Sequence, residues 1–288
     1  MYQTNFETNI INIHGNLGKK WLEDLPRAIR HVGNKYKLSS LTPLKNLTYN
    51  YVLSGFQNIQ PIILKLGING LKQEAMALKA FSGFGAIAVL AESDTMLLLK
   101  WVIPGNTLKS YFPSRDDDAV SIVCDIIKTL HTAPLPKSNI FPHIKDWLIV
   151  LDKKWNVPIH HLQKAREIRN NLLTTLSKPV LLHGDLHHDN ILRNGEKFVI
   201  IDPKGVIGEV AYEIASFIRN PVVELLASEN ATNIINNRIK NFAAILKLPH
   251  QRIVDWCFVQ TVLAWIWTVE DGCNQQQFQR LTEIFTRL

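Results

Sequence analysis

Two periods of apolar residues run through the chain, and the second takes over about a third of the way along. Residues 16–33 set Leu17, Trp21, Leu25, Ile29 and Val32 at helical spacing, with Pro26 expected to split or kink the segment. Residues 37–66 read as strands: Tyr51-Val52-Leu53 closing at Gly55, then Pro61–Leu66. Leu71–Phe81 returns to helical spacing, with Leu71, Ala75, Leu78 and Phe81 on one stripe. Strands are expected again over Ala86–Leu90, entered by a turn at Gly83-Phe84-Gly85, and over Met96–Val102. Ile103-Pro104-Gly105 then marks a break.

Past that break the helical period dominates. Val120, Val123, Ile127 and Leu130 follow a capping-box pattern at Ser114–Asp117, with the acids Asp116–Asp118 suited to a first helical turn. Residues 144–177 read as two helices with Trp147, Leu148, Leu151 and Trp155 as core, and 222–288 is helical throughout. Two short apolar runs interrupt this pattern, Val180–Leu182 and Phe198–Ile201. Each reads as a short buried strand, and Asn194-Gly195 is expected to turn the two side by side. The class is α+β: a small sheet with one key helix over about 1–100, and a mostly helical region over 101–288.

Composition changes this picture little. The chain of 288 residues is long enough for one large domain or two lobes, and 46% hydrophobic with 20% charged residues is ordinary for a soluble globular protein. No apolar run approaches the roughly 18 residues of a membrane helix. The N-terminus shows no secretory pattern, so a cytoplasmic protein without membrane association is expected. Cys124, Cys257 and Cys273 are sparse and odd in number, which suits a reducing compartment and three small buried hydrophobes. The net charge of +7 is scattered, with runs no longer than Lys19-Lys20 or Lys153-Lys154, and this argues against nucleic acid as a partner.

The chemistry concentrates around the two short strands. Each ends in an acid, Asp185 after the first and Asp202 after the second, and Asn190 lies five residues past Asp185. Oxygen donors suit Mg²⁺. An Asp, an Asn five residues on and an Asp at the end of the next strand form the kinase arrangement, in which the first Asp orients the acceptor hydroxyl. Zinc at His183 and His187 would need a helix, and Gly184 places them in a turn. A second signal sits upstream. Lys65 interrupts an apolar strand, and Glu74 lies on the buried stripe of the next helix, where a carboxylate is costly unless paired. Lys65 is the expected partner.

The run His183-Gly184-Asp185-Leu186-His187-His188-Asp189-Asn190-Ile191-Leu192, with Ile201-Asp202-Pro203-Lys204-Gly205, resembles the aminoglycoside phosphotransferases, relatives of the protein kinases. Gly208–Ala215 and Asn220-Pro221 look most like the streptomycin 6-phosphotransferase branch, the aminoglycoside/hydroxyurea resistance kinases. The resemblance implies a bilobal protein-kinase-like fold, with a nucleotide-binding lobe over 1–100 and a catalytic, acceptor-binding lobe over 101–288. It implies transfer of the ATP γ-phosphoryl group to a hydroxyl of a small cationic acceptor such as streptomycin, with ATP and Mg²⁺ as cofactors.

By the same resemblance Asp185 is catalytic and Asn190 and Asp202 hold the metal. Lys65, aligned by Glu74, contacts phosphate, and Leu99 and Trp101 flank the adenine. The acids Glu209, Glu213, Glu270 and Asp271 are candidates for the cationic acceptor. No glycine run precedes Lys65; the loop there is Asn46-Leu47-Thr48-Tyr49-Asn50, with Thr48 and Asn50 as phosphate candidates. Nothing resembles an activation loop after Asp202, and Pro203 stiffens the backbone, so a constitutively formed site is expected. The alternatives are a kinase of another hydroxylated metabolite and a nucleotide-binding pseudokinase, the second disfavoured because all five catalytic positions are occupied. A monomer or homodimer is expected.

Overall fold

The computed structural model describes residues 4–45, 47–136, 140–272 and 274–288; Asn46 and Cys273 lie outside the described residues. The backbone sorts into two units. One runs to Ser82 and resumes over Ile87–Gly105; the other comprises Gly83–Ala86 and Asn106–Leu288. The division therefore falls a few residues past position 100, and the Gly83-Phe84-Gly85 turn goes with the second unit.

The first unit starts with α1 (Thr4–Tyr36), followed by β1 (Leu38–Pro43), β2 (Tyr51–Gln57), β3 (Gln60–Leu66), α2 (Leu71–Ala80), β4 (Val89–Glu92) and β5 (Met96–Lys100). The strands form one antiparallel sheet in the order β1-β2-β3-β5-β4. Phe6, Ile10, Leu22 and Leu25 of α1 close over Leu53, Ile62, Leu64 and Leu98 of the sheet. Pro26 does not split α1, whose backbone stays helical there. It sits on the exposed side, and the irregularity falls at Gly15 (φ 56°, ψ −129°), the residue best able to enter that region. Leu17, expected in the apolar stripe, is exposed.

Gly55 does not end its strand either. β2 continues to Gln57, and a Cβ at Gly55 would come within 2.8 Å of the Ser39 carbonyl oxygen, so the glycine permits close approach of β1. The strand expected over Ala86–Leu90 begins only at Val89, because Ala86 is taken by a bridge to Ile200. The break expected at Ile103–Gly105 is instead the start of another strand, β6 (Pro104–Thr107), which carries the chain from one unit into the next.

The second unit contains α3 (Asp116–Leu130), α4 (Ile144–Leu148), α5 (Ile159–Thr174), β7 (Val180–Leu182), β8 (Ile191–Asn194), β9 (Lys197–Ile200), β10 (Val206–Gly208), α6 (Val210–Arg219), α7 (Val222–Ala227), α8 (Ala231–Leu246), α9 (His250–Glu270) and α10 (Gln276–Thr286). α3 starts without the expected capping box. Its N-cap is Arg115, whose Nε donates to Asp118 at 2.8 Å; Asp117, the acid of that pattern, accepts from Asn241 Nδ2 at 2.9 Å, and Asp116 pairs with Arg238. The turn after Asn194 joins β8 to β9, with Ile191 opposite Ile200 and Gly195 at φ +59°. It does not pair β7 with β9. β7 pairs antiparallel with β10, Leu182 opposite Val206.

α9 forms the centre of this unit, with Trp256, Phe258, Val259, Val262, Leu263 and Ile266 buried against its neighbours. Among the described residues it is the one helix long and apolar enough to cross a membrane, yet 72% of that window is buried inside the fold, as in a core helix. Trp147 and Trp155 are only half-buried, and Trp267 is exposed. Cys124 and Cys257 are buried free thiols, and burial pushes that of Cys124 up to about 12.

A proline inside a helix removes one backbone hydrogen bond and costs about 3 kcal/mol relative to alanine. It also restricts the unfolded chain, which returns up to ~1 kcal/mol. Pro26→Ala is therefore expected to stabilise the protein by about 1–2 kcal/mol, read as a higher urea midpoint at unchanged slope. A midpoint equal to or below that of the parent would show that α1 already accommodates the ring without loss.

Candidate active site

The residues singled out from the sequence fall into two groups, one in each unit. In the first, β3 lies between β2 and β5, so Lys65 projects from an interior strand facing Val52 and Leu97 in register. Its Nζ donates to Glu74 Oε2 of α2 at 2.6 Å, with both side chains about 10% exposed. Each buried charge makes the other tolerable. Thr48 is exposed, and its carbonyl accepts from Asn9 Nδ2 at 3.4 Å. Asn50 lies against Gly67, where a Cβ would meet its Oδ1 at 2.4 Å. Leu99 is buried on β5 opposite Ile63, and the half-buried Trp101 donates its backbone N–H to the Pro61 carbonyl at 3.1 Å.

In the second unit the loop between β7 and β8 carries the chemistry. Its backbone is gripped from α6: Glu213 Oε2 accepts the His183 N–H at 2.6 Å and Oε1 the Gly184 N–H at 2.9 Å. Gly184 has φ +84°, and a Cβ there would come within 2.9 Å of Trp147, so no larger residue fits. The His183 ring contacts the Ile201 carbonyl at 2.8 Å, while its own carbonyl accepts from Lys204 N at 2.7 Å and Gly205 N at 3.2 Å. One residue thus fastens the loop to the segment that bears Asp202.

Asp185 follows with its side chain 34% exposed. Ser216 Oγ donates to its Oδ1 at 3.0 Å, and His187 Nε2 stands 3.7 Å from its Oδ2. Asn190 is buried; its Nδ2 donates to the Asp185 carbonyl at 2.9 Å, and its own carbonyl accepts from Ile201 N at 3.0 Å. Asp202 sits one residue beyond, in the left-handed region at φ 56°, with Lys204 Nζ 3.5 Å from its Oδ1. Asn and Asp enter that region more readily than most residues, and such strained positions gather at functional sites.

With its Nδ2 committed, Asn190 retains Oδ1 as an oxygen donor, and its carbonyl is tied through Ile201 N to the segment that carries Asp202. Among the described residues no group of three or more His, Cys, Asp or Glu side chains is placed to hold a metal. The donor set therefore fits a hard cation that completes its shell with water and phosphate oxygens, as Mg²⁺ does, and not a closed zinc cage. Burial pushes the Asp185 carboxyl up, but the hydrogen bond and charge of His187, with Lys204 and Arg219 behind, outweigh it and hold it well below the usual carboxylate range. It is ionised at neutral pH.

Two of the acids expected to take a cationic acceptor are committed to the fold. Glu209 is buried and accepts from Ser177 N and Oγ, from Arg252 Nε at 2.8 Å and from Trp256 Nε1. Glu213 is occupied by the loop backbone, with His131 Nε2 at 3.5 Å. Glu270 and Asp271 are exposed at the end of α9. Sequence reasoning missed Ser216 and Arg238. Their signal was available in part: Glu213, Ser216 and Arg219 recur every third residue in an otherwise apolar helix. Arg238 donates to both Asp116 oxygens and to the carbonyls of Phe217, Ile218 and Asn220, closing the end of α6.

A sheet that pairs a lysine with a helical glutamate, and a helical unit that sets Asp, Asn and Asp around a short hairpin, define a kinase-type phosphotransferase. The chain belongs to the aminoglycoside/hydroxyurea antibiotic resistance kinase family, whose model matches residues 55–272. It is 27% identical over 234 residues to the streptomycin 3''-kinase of Klebsiella pneumoniae, covering 77% of this chain and 85% of that protein. Among solved structures it resembles choline kinase LicA from Streptococcus pneumoniae (TM-score 0.68, 14% identity, 91% of this chain and 99% of that one). It also resembles a thermostable mutant of aminoglycoside phosphotransferase APH(4)-Ia in ternary complex with AMP-PNP and hygromycin B (TM-score 0.69, 13% identity, 90% and 96%). At these identities the likeness is one of fold, and the fold is protein-kinase-like.

Burial disfavours the charged form of two histidines of this unit. His188, stacked on Phe217 at 3.9 Å and beside the Arg238 guanidinium, is pushed down to about 2, first by burial and then by that charge. Burial also lowers His183, though the nearby carboxylates oppose it. In the unfolded chain both rings take up protons near the ordinary value of about 6.5. Their stabilisation is therefore whole above that pH and falls below it, for His188 by about 1.4 kcal/mol per pH unit. Urea unfolding of the nucleotide- and metal-free protein should show a falling midpoint from pH 6.5 to 5. A flat profile there would mean that these rings are protonated in the fold.

Proposed function

We propose that this protein transfers the γ-phosphoryl group of ATP to a hydroxyl of streptomycin or a closely related aminoglycoside, with Mg²⁺ as the metal. The carrying observation is Asp185: an ionised, partly open carboxylate held between Ser216 and His187, next to an Asn190 tied through Ile201 to Asp202. Asp185 receives the acceptor hydroxyl, orients it and takes its proton. Asn190 Oδ1 and the Asp202 carboxylate hold the cation, which when bound neutralises charge on the phosphates. Lys65, held by Glu74, binds phosphate, with Thr48 and Asn50 as further contacts, and Leu99 and Trp101 line the adenine site. Of the four acids first considered for the acceptor, the exposed pair Glu270 and Asp271 is retained.

Family membership and the streptomycin 3''-kinase relative support the acceptor class, and the AMP-PNP held by the fold neighbour supports a nucleoside triphosphate donor. The sequence motifs favour the 6-hydroxyl. The curated relative is named for the 3'' position, and this makes the 3''-hydroxyl the second reading. Both leave the roles of Asp185, Asn190 and Asp202 unchanged.

A coupled assay of ATP consumption with streptomycin, other aminocyclitols and choline tests the acceptor, and NMR of the product assigns the hydroxyl. Turnover on choline but not on any aminoglycoside would move the protein to metabolite phosphorylation. Asp185→Ala is expected to lower kcat by roughly 10³-fold or more, with the nucleotide Kd within about twofold by calorimetry. Full turnover in that variant would remove the catalytic assignment.

A further inference from the structure

α6 is buried along its length, yet every third residue of it is polar: Glu213, Ser216 and Arg219, at 1%, 2% and 9% exposure. Residues three apart lie on one helical face, and polar groups buried there need partners. Glu213 spends both carboxylate oxygens on the backbone of the loop. Arg219 gives Nη1 to Gln260 at 2.8 Å, and its charge bears on Asp185. Ser216, between them, donates its hydroxyl to Asp185 Oδ1 at 3.0 Å. Glu213 therefore fixes where the loop runs, while the carboxylate at its tip is flanked by His187 Nε2, 3.7 Å from Oδ2, and hydrogen-bonded at Oδ1 by the serine.

We propose that Ser216 is the positioning residue that selects the working rotamer of Asp185, engaging Oδ1 so that Oδ2 is presented to the acceptor hydroxyl. This rests on the reading of Asp185 as the residue that receives that hydroxyl. The geometry is held from both sides. Asn220 Nδ2 donates to the Ser216 carbonyl at 2.8 Å, and Arg238 takes the carbonyls of Phe217, Ile218 and Asn220, so the helical turn bearing the hydroxyl has little room to move. On the loop side, Asn190 fastens the Asp185 carbonyl. With its backbone fixed at both ends, the one soft coordinate left at Asp185 is its side-chain torsion. Misplacing a reacting group by an ångström costs on the order of 10²-fold in rate.

The test compares Ser216→Ala, Ser216→Cys and Ser216→Thr with the parent, on whichever acceptor supports wild-type turnover. Ser216→Ala is expected to lower kcat by roughly 10–100-fold with acceptor KM, nucleotide Kd by calorimetry and thermal midpoint nearly unchanged. Ser216→Cys, close in size but a weak donor, should behave like Ala. Ser216→Thr, which keeps the hydroxyl, should recover most of the rate. Crystals of the Ala variant should show the Asp185 carboxylate in more than one rotamer, and the Thr variant a single one. Wild-type kcat in Ser216→Ala, or equal loss in the Ala and Thr variants, would overturn the proposal; if the Ala variant does not fold, the Cys–Thr difference decides. Asp185→Ala is run alongside. If it is inactive while Ser216→Ala is not impaired, only the positioning role fails; if it is active, the reading of Asp185 falls as well.

Discussion

A carboxylate with no access to water has to find its hydrogen bonds inside the protein, and Glu213 finds two of them on consecutive backbone N–H groups of the β7–β8 loop. Much of the second unit's site geometry follows from that contact. Two adjacent N–H groups reach one carboxylate only if the backbone turns sharply, and Gly184 supplies the positive φ that permits it. The loop must also come close to α4, which is why a side chain at 184 would strike Trp147. Once His183 is fixed, its carbonyl and ring reach Lys204, Gly205 and Ile201, so the segment carrying Asp202 is positioned from the same anchor. The two acids are coordinated through a third that does no chemistry of its own.

The other buried charges serve the same scaffold. Arg238 sits where the last carbonyls of α6 lack helical partners, a place where a cation is favoured by the helix dipole as well as by the unfilled acceptors. Its own charge is balanced by the two-pronged contact with Asp116 of α3. At the opposite end of α6, Glu209 draws Arg252 and Trp256 of α9 and the backbone of Ser177 onto one carboxylate. The helix next to the reactive loop is thus pinned at both ends by ions that are themselves satisfied. Such networks are specific because breaking one member strands the others, and the cost falls on the whole cluster.

Much of this was legible in the sequence, for a reason that separates the clear cases from the missed ones. A charge in an apolar strand and a charge on a buried helical stripe must be resolved somewhere, and Lys65 and Glu74 were near enough in sequence for the solution to be read directly. The hairpin was half legible. Asn194-Gly195 marked a turn, but Ile191–Asn194 was counted with the polar segment before it, so β9 was given the wrong partner. Val206–Gly208 spans three residues, too few to show a period, and nothing local announces its pairing with β7. Pro26 and Gly55 were read as breakers from their identities alone. One faces solvent and the other makes room for a neighbouring strand, and both facts are tertiary. Glu209 and Glu213 were acceptor candidates by resemblance; the structure buries both, as the apolar residues around them already indicated.

The burial of these two acids bears on how a cationic acceptor would be recognised under the proposed reading. The chain carries a net charge of +7, so its overall field disfavours the approach of a cation, and any attraction has to be local. Glu209 contributes little to such a field because Arg252 neutralises it within hydrogen-bond distance. Glu213 has no exposed surface through which to act, and its oxygens are already taken by N–H groups. Recognition must then fall on acids that keep contact with water. In this chain the end of α9 offers two in succession, Glu270 and Asp271, at a helix C-terminus whose dipole is itself negative. Under the proposed reading these two exposed acids, rather than the buried acids around α6, remain the candidates for that local attraction.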